Sequence, residues 1–378
     1  MISCGEASGD MYGGALAVEL LRRDPSCRIS GFGGERLRAA GAVLTGDYRG
    51  FAVTGLTEAI RVLPRSYQMY RRLVSYARAE RPDVFVAVDF PDFNFRLGAA
   101  VHALGIPVVY YVSPQLWAWR SGRIHTMKRF VAMVLPIFPF EVDIYQREGI
   151  PVEFVGHPLV DLIDVQSSRD EFLRAQGLDP AAPTVALLPG SRPNELRATV
   201  PVLAAAMPLI AGRVKDVQFV VARAPHLPDA LLRPLQRPDT GGSRLAIVDG
   251  RTDDVLHASA AVITASGTAT VQTALHQKPM VIVYRLSPLT YRLGRPFVRV
   301  STFGMANLIA GRMVVPELIQ EAFTPARVAE ETLRFLTDPA AAADARRALA
   351  AVCAKLGAPG ASGRAADAIL KVARGGRG

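Results

Sequence analysis

Short apolar runs rich in β-branched residues alternate with longer amphipathic stretches along almost the whole chain of 378 residues. Two of these runs, Asp83–Val88 and Pro107–Val112, are almost wholly apolar, which is typical of strands covered on both faces. The stretches between the runs are longer and carry apolar residues at helical spacing. The alternation predicts an α/β protein in which helices cover doubly wound parallel sheets.

The same pattern occurs in both halves of the chain. The strands predicted in the first half are Arg28–Phe32, Asp83–Val88, Pro107–Val112, Val131–Leu135 and Val152–Val155. The helices predicted there are Met11–Arg23, Leu56–Glu80, Phe95–Leu104 and Phe140–Glu148. The strands predicted in the second half are Thr184–Leu188, Val217–Val221, Leu245–Val248, Ala260–Thr264 and Met280–Val283. The helices predicted there are Pro193–Arg213, Thr252–His257, Gly267–His276, Pro325–Leu336, Pro339–Leu356 and Ser362–Arg374.

The periodicity weakens between His157 and Ser168, where we place a domain boundary. We expect one Rossmann-like domain over residues 1–160 and a second over 161–338. Residues 339–378 are expected to form helices that cross back or are exchanged in a homodimer. Ligands of doubly wound sheets bind beyond the carboxyl ends of the strands, so two such domains predict a ligand in a cleft between them.

The first strand is unusual because only Met1–Cys4 precede the first glycine. Either this strand is short or the natural start lies upstream. Glu6 and Asp10 come too early for a signal peptide. There is also no run of about 18 apolar residues, so the sequence predicts no membrane-spanning helix.

The charge balance favours anionic partners. The chain has 44 Lys and Arg against 34 Asp and Glu, a net charge of +10. Such an excess suits phosphate esters, nucleic acid or an anionic membrane surface. Nucleic acid is disfavoured, because no binding motif occurs and the aromatic residues do not alternate with basic ones. The three cysteines are scattered, which fits a reduced cytosolic protein without disulfides, and no His/Cys cluster predicts a metal site.

The segment Gly5–Asp10 precedes a predicted helix. Its small residues allow a ligand to approach the backbone, and free N–H groups at a helix start favour anions. The segment is neither a Walker A loop nor a dinucleotide-binding fingerprint. The alternative is a tight turn in which Asp10 caps a helix.

The segment Asp89–Asn94 directly follows a strongly apolar strand. Asp89 would lie at the carboxyl end of that strand beside Phe90, where partial desolvation suits a general base. Asp92 or Asn94 would instead cap the next helix.

The segment Ser113–Arg120 contains both tryptophans of the chain, Trp117 and Trp119. They either fill the core or line a groove for a sugar ring or an acyl chain. In the second case Arg120 and the basic residues that follow it would face phosphate.

Two strand-to-helix connections in the second half resemble phosphate sites. In Leu188–Arg192, Gly190 allows close approach, Ser191 is a hydrogen-bond donor and Arg192 can bind a diphosphate through two bonds. Ser266–Thr270 offers hydroxyl groups and backbone donors for a second contact. A further polar segment, Asn307–Arg312, is predicted to be a loop.

These segments occur in this order in the lipid-A-disaccharide synthase family, which the chain resembles over nearly its whole length. The resemblance implies a GT-B fold and an inverting glycosyltransferase that needs no metal and no cofactor. The implied donor is UDP-2,3-diacylglucosamine, and the implied acceptor is 2,3-diacylglucosamine 1-phosphate (lipid X). The products would be a β-1,6-linked disaccharide 1-phosphate and UDP. The family acts from the cytosol at the surface of the inner membrane of Gram-negative bacteria.

The resemblance also implies roles for individual residues. Asp89 matches the base for the acceptor hydroxyl, and Arg192 matches the arginine on the donor diphosphate. The residues implied to bind substrate or donor are Glu6, Ser8, Gly9, Asn94, Gly190, Ser191, Ser266, Gly267, Thr268, Gln272 and Asn307. One departure is Gln272, which stands where GT-B enzymes usually carry an acidic residue for the ribose.

The segment Phe51–Arg72 mixes apolar, aromatic and arginine residues. It would be either an ordinary surface helix or a basic amphipathic face that lies on an anionic bilayer. Two other functions stay open at this point. One is a different GT-B activity on UDP-sugars, such as an epimerase, and the other is a non-enzymatic binder of phosphate or membranes, which would not need Asp89.

Overall fold

The computed structural model describes residues 1–49, 56–114, 116, 122–225, 227–236, 242–286 and 302–375, with the backbone alone for residues 56–62. The described residues form two compact units. The first contains those within Met1–Asp161 and Leu356–Gly378, and the second those within 162–355. The last helix therefore belongs to the first unit, although the second unit precedes it in the chain.

The first unit is built on a parallel sheet. Its strands are β1 (Ile2–Cys4), β2 (Ser30–Gly33), β3 (Val43–Asp47), β4 (Phe85–Val88), β5 (Val108–Tyr111) and β6 (Met133–Leu135). Its helices are α1 (Ala7–Arg23), α2 (Glu35–Ala39), α3 (Leu56–Glu80), α4 (Pro91–His102), α5 (Arg123–Met127), α6 (Phe140–Arg147) and α7 (Leu159–Leu162). The sheet order is β3-β2-β1-β4-β5-β6, so the winding direction reverses between β1 and β4.

Strand β1 is short but central, and glycines let neighbouring elements approach it. Ile2 pairs with Gly31 on one side and Val86 on the other. A Cβ at Gly31 would clash with the main-chain oxygen of Ile2. A Cβ at Gly13 would clash in the same way with the thiol of Cys4, so α1 packs directly on β1.

The second unit repeats the architecture. Its strands are β7 (Thr184–Leu188), β8 (Gln218–Arg223), β9 (Leu245–Asp249), β10 (Ala261–Ala265), β11 (Met280–Tyr284) and β12 (Glu317–Ile319). Its helices are α8 (Arg169–Ala175), α9 (Pro193–Ala211), α10 (Thr252–Ala258), α11 (Thr268–Leu275), α12 (Met305–Ala310), α13 (Pro325–Thr337) and α14 (Pro339–Ala354). Short 3-10 turns occupy Asp229–Leu231, Arg233–Gln236 and Gln320–Ala322. The sheet order β12-β11-β10-β7-β8-β9 places the reversal between β10 and β7.

Each unit has its own apolar core, formed where helices pack on the sheet. In the first, Phe85 and Tyr110 of the sheet pack with Leu73 of α3 and Leu97 of α4. In the second, the apolar side chains of β7, β8, β10 and β11 pack with those of α9 and α13. Since both faces of these strands are buried, their sequences are continuous apolar runs.

The last helix, α15 (Ala361–Gly375), packs against α1 of the same chain. The carboxylate of Asp161 accepts hydrogen bonds from the N–H groups of Gly360 (2.7 Å) and Ala361 (2.9 Å) and so caps the helix. Arg23 of α1 is paired with Asp367 of α15 at 2.5 Å. A homodimer that exchanges this helix stays a prediction.

Several predicted elements differ from the structure. Val152–Val155 is not a strand, because only Val152 forms a bridge, to Val134. Asn307–Arg312 is not simply a loop, because Asn307 lies within helix α12. Helix α1 begins at Ala7 rather than Met11, so Ser8 and Gly9 lie in its first turn. Among the described residues, no helix is both long and apolar enough to cross a membrane.

Candidate active site

The segments predicted to carry chemistry follow the central strands of the two sheets. Gly5–Asp10 follows β1 and Asp89–Asn94 follows β4, on the two sides of the reversal in the first sheet. Leu188–Arg192 and Ser266–Thr270 follow β7 and β10, on the two sides of the reversal in the second. Connections diverge at such a point and leave a crevice at the carboxyl edge, where ligands of these folds bind.

The Gly5–Asp10 segment turns directly into α1. Glu6 is half-buried at the N-cap position, and Ser8 is half-buried in the first turn. Gly9 faces the ends of β1 and β4, since a Cβ there would lie 3.7 Å from both Cys4 Cβ and the Val88 oxygen. This places Glu6 and Ser8 at the carboxyl edge of the sheet.

Asp10 has a structural role. It is 2% exposed, and its carboxylate accepts hydrogen bonds from the N–H groups of Gly34 (2.6 Å), Arg36 (2.9 Å) and Leu37 (3.2 Å). It therefore caps α2, a helix that follows the next strand, rather than its own helix. Asp10 therefore fits the alternative interpretation of this segment, in which its side chain caps a helix.

Asp89 and Phe90 form a strained turn between β4 and α4. Both have positive φ angles, 46° and 50°, although neither is glycine. The left-handed conformation costs a non-glycine residue about 1–3 kcal/mol, and such residues cluster at functional sites. The side chain of Asp89 is half-buried at the carboxyl end of β4.

The backbone of this turn is held by its neighbours. The main-chain oxygen of Asp89 accepts hydrogen bonds from Asn94 Nδ2 and from the hydroxyl of Tyr110, both at 2.8 Å. Its N–H donates to the main-chain oxygen of Tyr111 at 3.2 Å. Burial, with a smaller contribution from the Asp89 charge, raises the pKa of Tyr110, so its hydroxyl stays a donor. The sequence analysis missed Tyr110.

Asn94 was predicted to bind substrate, and the structure places it inside the protein. It is fully buried, and its Oδ1 accepts a hydrogen bond from the Ser3 hydroxyl at 2.7 Å. Its Nδ2 also reaches the main-chain oxygens of Ser3 and Val88, at 3.2 and 3.3 Å. Asn94 thus joins the ends of β1 and β4. Asp92 pairs with Arg123 at 2.7 Å on the surface.

The segment that begins at Ser113 enters a buried polar cluster. The Ser113 hydroxyl donates to Glu141 Oε1 (2.9 Å) and accepts from the hydroxyl of Tyr145 (3.0 Å). Burial, helped by the charge of Glu141, raises the pKa of Tyr145. Trp117, Trp119 and Arg120 lie outside the described residues, so the predicted groove stays a prediction.

In the second unit, Gly190 makes the turn from β7 towards α9, with φ of 127°. The exposed Ser191 and the half-buried Arg192 follow it, and Arg192 is the N-cap residue of α9. One anionic group lies in this turn. The carboxylate of Glu195 accepts hydrogen bonds from the N–H groups of Ser191 (2.9 Å) and Arg192 (3.3 Å). It also contacts the Arg192 guanidinium at 3.3 Å.

Glu195 therefore uses the donors that a diphosphate needs. Glu195 is not among the predicted site residues, although a glutamate three residues after a helix N-cap is a capping-box signal. Tyr284, at the end of β11, lies within the electrostatic reach of Glu195 and Arg192. Its pKa is raised, mainly by burial and further by the Glu195 charge.

The second connection of this unit starts α11. Gly267 has φ of 140°, and a Cβ there would meet no atom within 4 Å in the part of the chain that the structure describes, so its backbone is open there to an approaching group. The Ser266 hydroxyl donates to the main-chain oxygen of Phe303 at 3.1 Å. Thr268, the first residue of α11, is half-buried. The N–H groups at this helix start favour an anion.

Gln272 lies one turn further along α11. Its Nε2 donates to Asp253 Oδ1 at 2.8 Å, and His276 Nε2 lies 2.8 Å from the same oxygen. Burial acts to raise the pKa of Asp253, but hydrogen bonds from His276, Gln272 and the Asp164 N–H outweigh it and lower the pKa. A carboxylate from α10 therefore accompanies Gln272, a feature that the sequence analysis missed.

Asn307 is fully buried in α12. Its Oδ1 accepts hydrogen bonds from the N–H groups of Val314 (2.7 Å) and Val315 (3.1 Å), and its Nδ2 donates to the Val315 oxygen (2.9 Å) and Glu317 Oε1 (2.7 Å). Glu317 also accepts from the Gly304 N–H at 2.9 Å. Asn307 thus fixes the backbone at Val314 and Val315 and holds Glu317, which in turn bonds to the N–H group of Phe303, the residue whose oxygen accepts from Ser266.

The two units thus present different chemistry at their carboxyl edges. The first offers the carboxylates of Glu6 and Asp89, and the second offers Arg192 with two glycine-containing helix starts. Within the described ranges, no group of three or more His, Cys, Asp or Glu residues is arranged to hold a metal ion. The first edge suits proton removal, and the second suits a diphosphate.

Two solved structures show the same fold. UDP-GlcNAc 2-epimerase from Neisseria meningitidis bound to UDP-GlcNAc aligns with a TM-score of 0.70 at 12% identity, covering 98% of this chain and 99% of that one. MurG of Acinetobacter baumannii aligns with a TM-score of 0.54 at 16% identity, covering 98% of each chain. The architecture is that of the GT-B class, which includes glycosyltransferases and such epimerases, and the predicted fold class is confirmed.

The sequence comparisons are more specific. The family model described as lipid-A-disaccharide synthetase matches residues 1–368. Lipid-A-disaccharide synthase of Geobacter sulfurreducens is 42% identical over 375 residues, 98% of this chain and 96% of the relative. The Myxococcus xanthus enzyme is 40% identical over 377 residues, 100% of this chain and 98% of the relative. The chain belongs to the lipid-A-disaccharide synthetase family, and the predicted family is confirmed.

Proposed function

We propose that the chain transfers 2,3-diacylglucosamine from UDP-2,3-diacylglucosamine to the primary hydroxyl of 2,3-diacylglucosamine 1-phosphate. The products are the β-1,6-linked disaccharide 1-phosphate and UDP. The observation that carries this proposal is the family match over residues 1–368. The chemistry at the two carboxyl edges is consistent with it, since the transfer needs both a base and a site for a diphosphate.

Asp89 is the proposed general base. The acceptor hydroxyl attacks the anomeric carbon of the donor, and its proton passes to the Asp89 carboxylate. The new carbon–oxygen bond forms on the face opposite to the departing UDP, so the configuration inverts. The strained turn at Asp89 and Phe90 supports this role, because strain of this kind persists at functional sites.

Arg192 is the proposed stabiliser of the leaving UDP. As the bond from the anomeric carbon to the phosphate oxygen breaks, negative charge develops on the diphosphate. In this proposal the guanidinium and the helix starts at Gly190 and Gly267 offset that charge. Ser191, Ser266 and Thr268 add hydroxyl or backbone donors to the proposed donor site, and Gln272 is assigned to the ribose.

Glu6 and Ser8 are assigned to the acceptor side, because they lie at the start of α1 near the end of β1. In this proposal Asn94, Asn307 and Gly9 support the site without contacting a substrate. The two asparagine side chains are buried and bonded within the chain, and Gly9 lets α1 approach the sheet.

The direct test is a product assay with the purified protein and both lipid substrates. We expect equal amounts of disaccharide 1-phosphate and UDP. The same protein is incubated with UDP-GlcNAc alone, because the fold is shared with epimerases. Formation of an epimer without any disaccharide would replace the proposed reaction by an epimerisation.

We further propose that α3 rests on the anionic inner-membrane surface. Leu63 and Tyr67 are 57% and 62% exposed on this helix, and the exposed Arg71 follows Tyr67 by one turn on the same side. The exposed Arg65 and Arg72 lie further round the helix. The inner face of the helix, with Leu73 and Ala77, is buried in the core. Apolar side chains flanked by arginines suit an anionic interface.

Flotation with vesicles of phosphatidylglycerol at low salt tests the membrane proposal. We expect the wild type to float and the double variant Leu63→Asp/Tyr67→Asp to stay at the bottom. The control, Val18→Asp/Val43→Asp, changes two residues that are 53% and 69% exposed elsewhere in the unit. Equal flotation of both double variants would remove α3 from the proposal.

A further inference from the structure

The turn at Asp89 needs support because two successive non-glycine residues adopt the left-handed conformation. An unsupported residue relaxes to the extended or right-handed region, and such a change redirects the bond from Cα to Cβ. The direction of the Asp89 carboxylate therefore depends on whatever holds its backbone.

Two side chains hold the backbone of Asp89 through hydrogen bonds to the same atom. The main-chain oxygen of Asp89 accepts from Asn94 Nδ2 and from the Tyr110 hydroxyl, each at 2.8 Å. A carbonyl oxygen has two lone pairs, so these two donors saturate it. Both side chains are 0% exposed, which keeps water from competing for the bonds.

Both side chains are themselves fixed. Asn94 is bonded to Ser3 of β1 through its Oδ1 at 2.7 Å. Tyr110 belongs to β5, which pairs with β4 through Ala87. The support for Asp89 thus comes from the central strands of the sheet, on either side of β4.

We propose that Asn94 and Tyr110 are positioning residues that aim the Asp89 carboxylate at the acceptor hydroxyl. The proposal rests on the proposed role of Asp89 as the base. Neither residue touches substrate; each acts through the backbone of Asp89. A base that is displaced by a fraction of an ångström loses proton-transfer efficiency, while binding at the other carboxyl edge is unaffected.

The test compares two neighbouring tyrosines of β5. Tyr110→Phe removes the hydroxyl that reaches Asp89. Tyr111→Phe is the matched control, because Tyr111 is equally buried and gives Asp89 its main-chain oxygen, which the substitution leaves in place. We expect Tyr110→Phe to lower kcat about tenfold with an unchanged Kd for UDP. We expect Tyr111→Phe to keep kcat within about twofold of the wild type.

A double-mutant cycle separates positioning from general destabilisation. In an Asp89→Asn background, Tyr110→Phe should cause no further loss of kcat, because no base remains to be aimed. An equal tenfold loss in both backgrounds would overturn the proposal, as would equal effects of Tyr110→Phe and Tyr111→Phe. If Tyr110→Phe does not fold, Ser3→Ala replaces it in the same cycle, since it removes the bond that fixes Asn94.

The result for Asp89→Asn alone separates a failure of the proposed base from a failure of the positioning role. Wild-type turnover in that variant contradicts Asp89 as the base and so the proposed function of the site. A loss of turnover in Asp89→Asn without a loss in Tyr110→Phe contradicts only the positioning role.

Discussion

The ring of Phe90 occupies the space that a side chain at position 5 would need. A Cβ added to Gly5 would lie within 3.0 Å of three ring atoms of Phe90. Phe90 is the second residue of the strained turn, and Gly5 is the first residue after β1. The two candidate segments of the first unit are therefore in direct contact, and a change in one alters the other.

Gly5→Ala is expected to displace Phe90 and with it Asp89. We predict a fall in kcat of about tenfold or more, together with a stability loss of about 1–3 kcal/mol from overpacking. Kinetics and urea unfolding measure the two effects. Gly122→Ala is the control, because a Cβ at Gly122 would meet no atom of the described residues within 4 Å. Normal kcat in Gly5→Ala would mean that the contact does not orient the turn.

Glu195→Gln is expected to strengthen UDP binding. The Glu195 carboxylate competes with a diphosphate for the N–H groups of Ser191 and Arg192 and repels its charge. Glutamine keeps an acceptor for the helix start but removes the negative charge. We predict a Kd for UDP that is several-fold lower by calorimetry, as expected for the loss of about 1 kcal/mol of repulsion.

The matched control for this change is Glu330→Gln, which neutralises an exposed glutamate paired with Arg327 on α13. It should leave the Kd for UDP unchanged. Weaker binding in Glu195→Gln would instead identify Glu195 as a support for Arg192.

The sequence could predict the buried strands and the long helices. Thr184–Leu188 and Leu56–Glu80 have the same bounds in sequence and structure, since continuous burial or helical periodicity marks them. Strand β3 was not predicted, because Val43 is 69% exposed at a sheet edge and Gly46 interrupts the apolar run. Helix α12 was not predicted, because its six residues are too few to show helical periodicity.

The same limit applies to the candidate site. Asp89 and Arg192 could be predicted as site residues because both follow strands. The connections at the carboxyl ends of parallel strands are where these folds carry their chemistry. No sequence pattern links Tyr110 to Asp89 or Asp253 to Gln272, because the pairing of strands and the packing of helices bring these residues together. The individual roles of the predicted site residues stay predictions.

His157 is expected to make the protein less stable in mild acid. It is 2% exposed between the rings of Tyr12 and Phe138, and burial lowers its pKa to about 3. The unfolded chain, with a histidine pKa of about 6.5, binds the proton more readily than the folded one. The stability that the neutral His157 contributes is thus present above pH 6.5 and is lost as the pH falls towards 3.

Between pH 7.5 and 5.5, the wild type should lose about 1 kcal/mol more of its unfolding free energy than His157→Asn does. Asparagine keeps an acceptor for the Leu159 N–H, which His157 Nδ1 binds at 3.1 Å, but it does not titrate. Chemical unfolding at the two pH values measures the difference. Parallel curves for the two proteins would show that His157 is not the group responsible.

Asp161→Ala is expected to loosen the last helix. Loss of the two bonds to Gly360 and Ala361 removes the N-cap of α15, an effect of about 1 kcal/mol. We predict faster tryptic cleavage at Lys371 within this helix. Asp344→Ala, on the surface of α14, should leave the cleavage rate unchanged. Equal cleavage of the two variants would contradict the docking of α15 through Asp161.

In the proposed reaction the base lies at one carboxyl edge and the diphosphate site at the other. The most direct measurement is kcat for disaccharide formation together with the Kd for UDP in Asp89→Ala and Arg192→Ala. We predict that both lose about two orders of magnitude in kcat, and that only Arg192→Ala also loses UDP affinity, by about tenfold or more. Near-wild-type kcat in either variant, or an equal loss of UDP binding in both, would contradict this division of roles between Asp89 and Arg192.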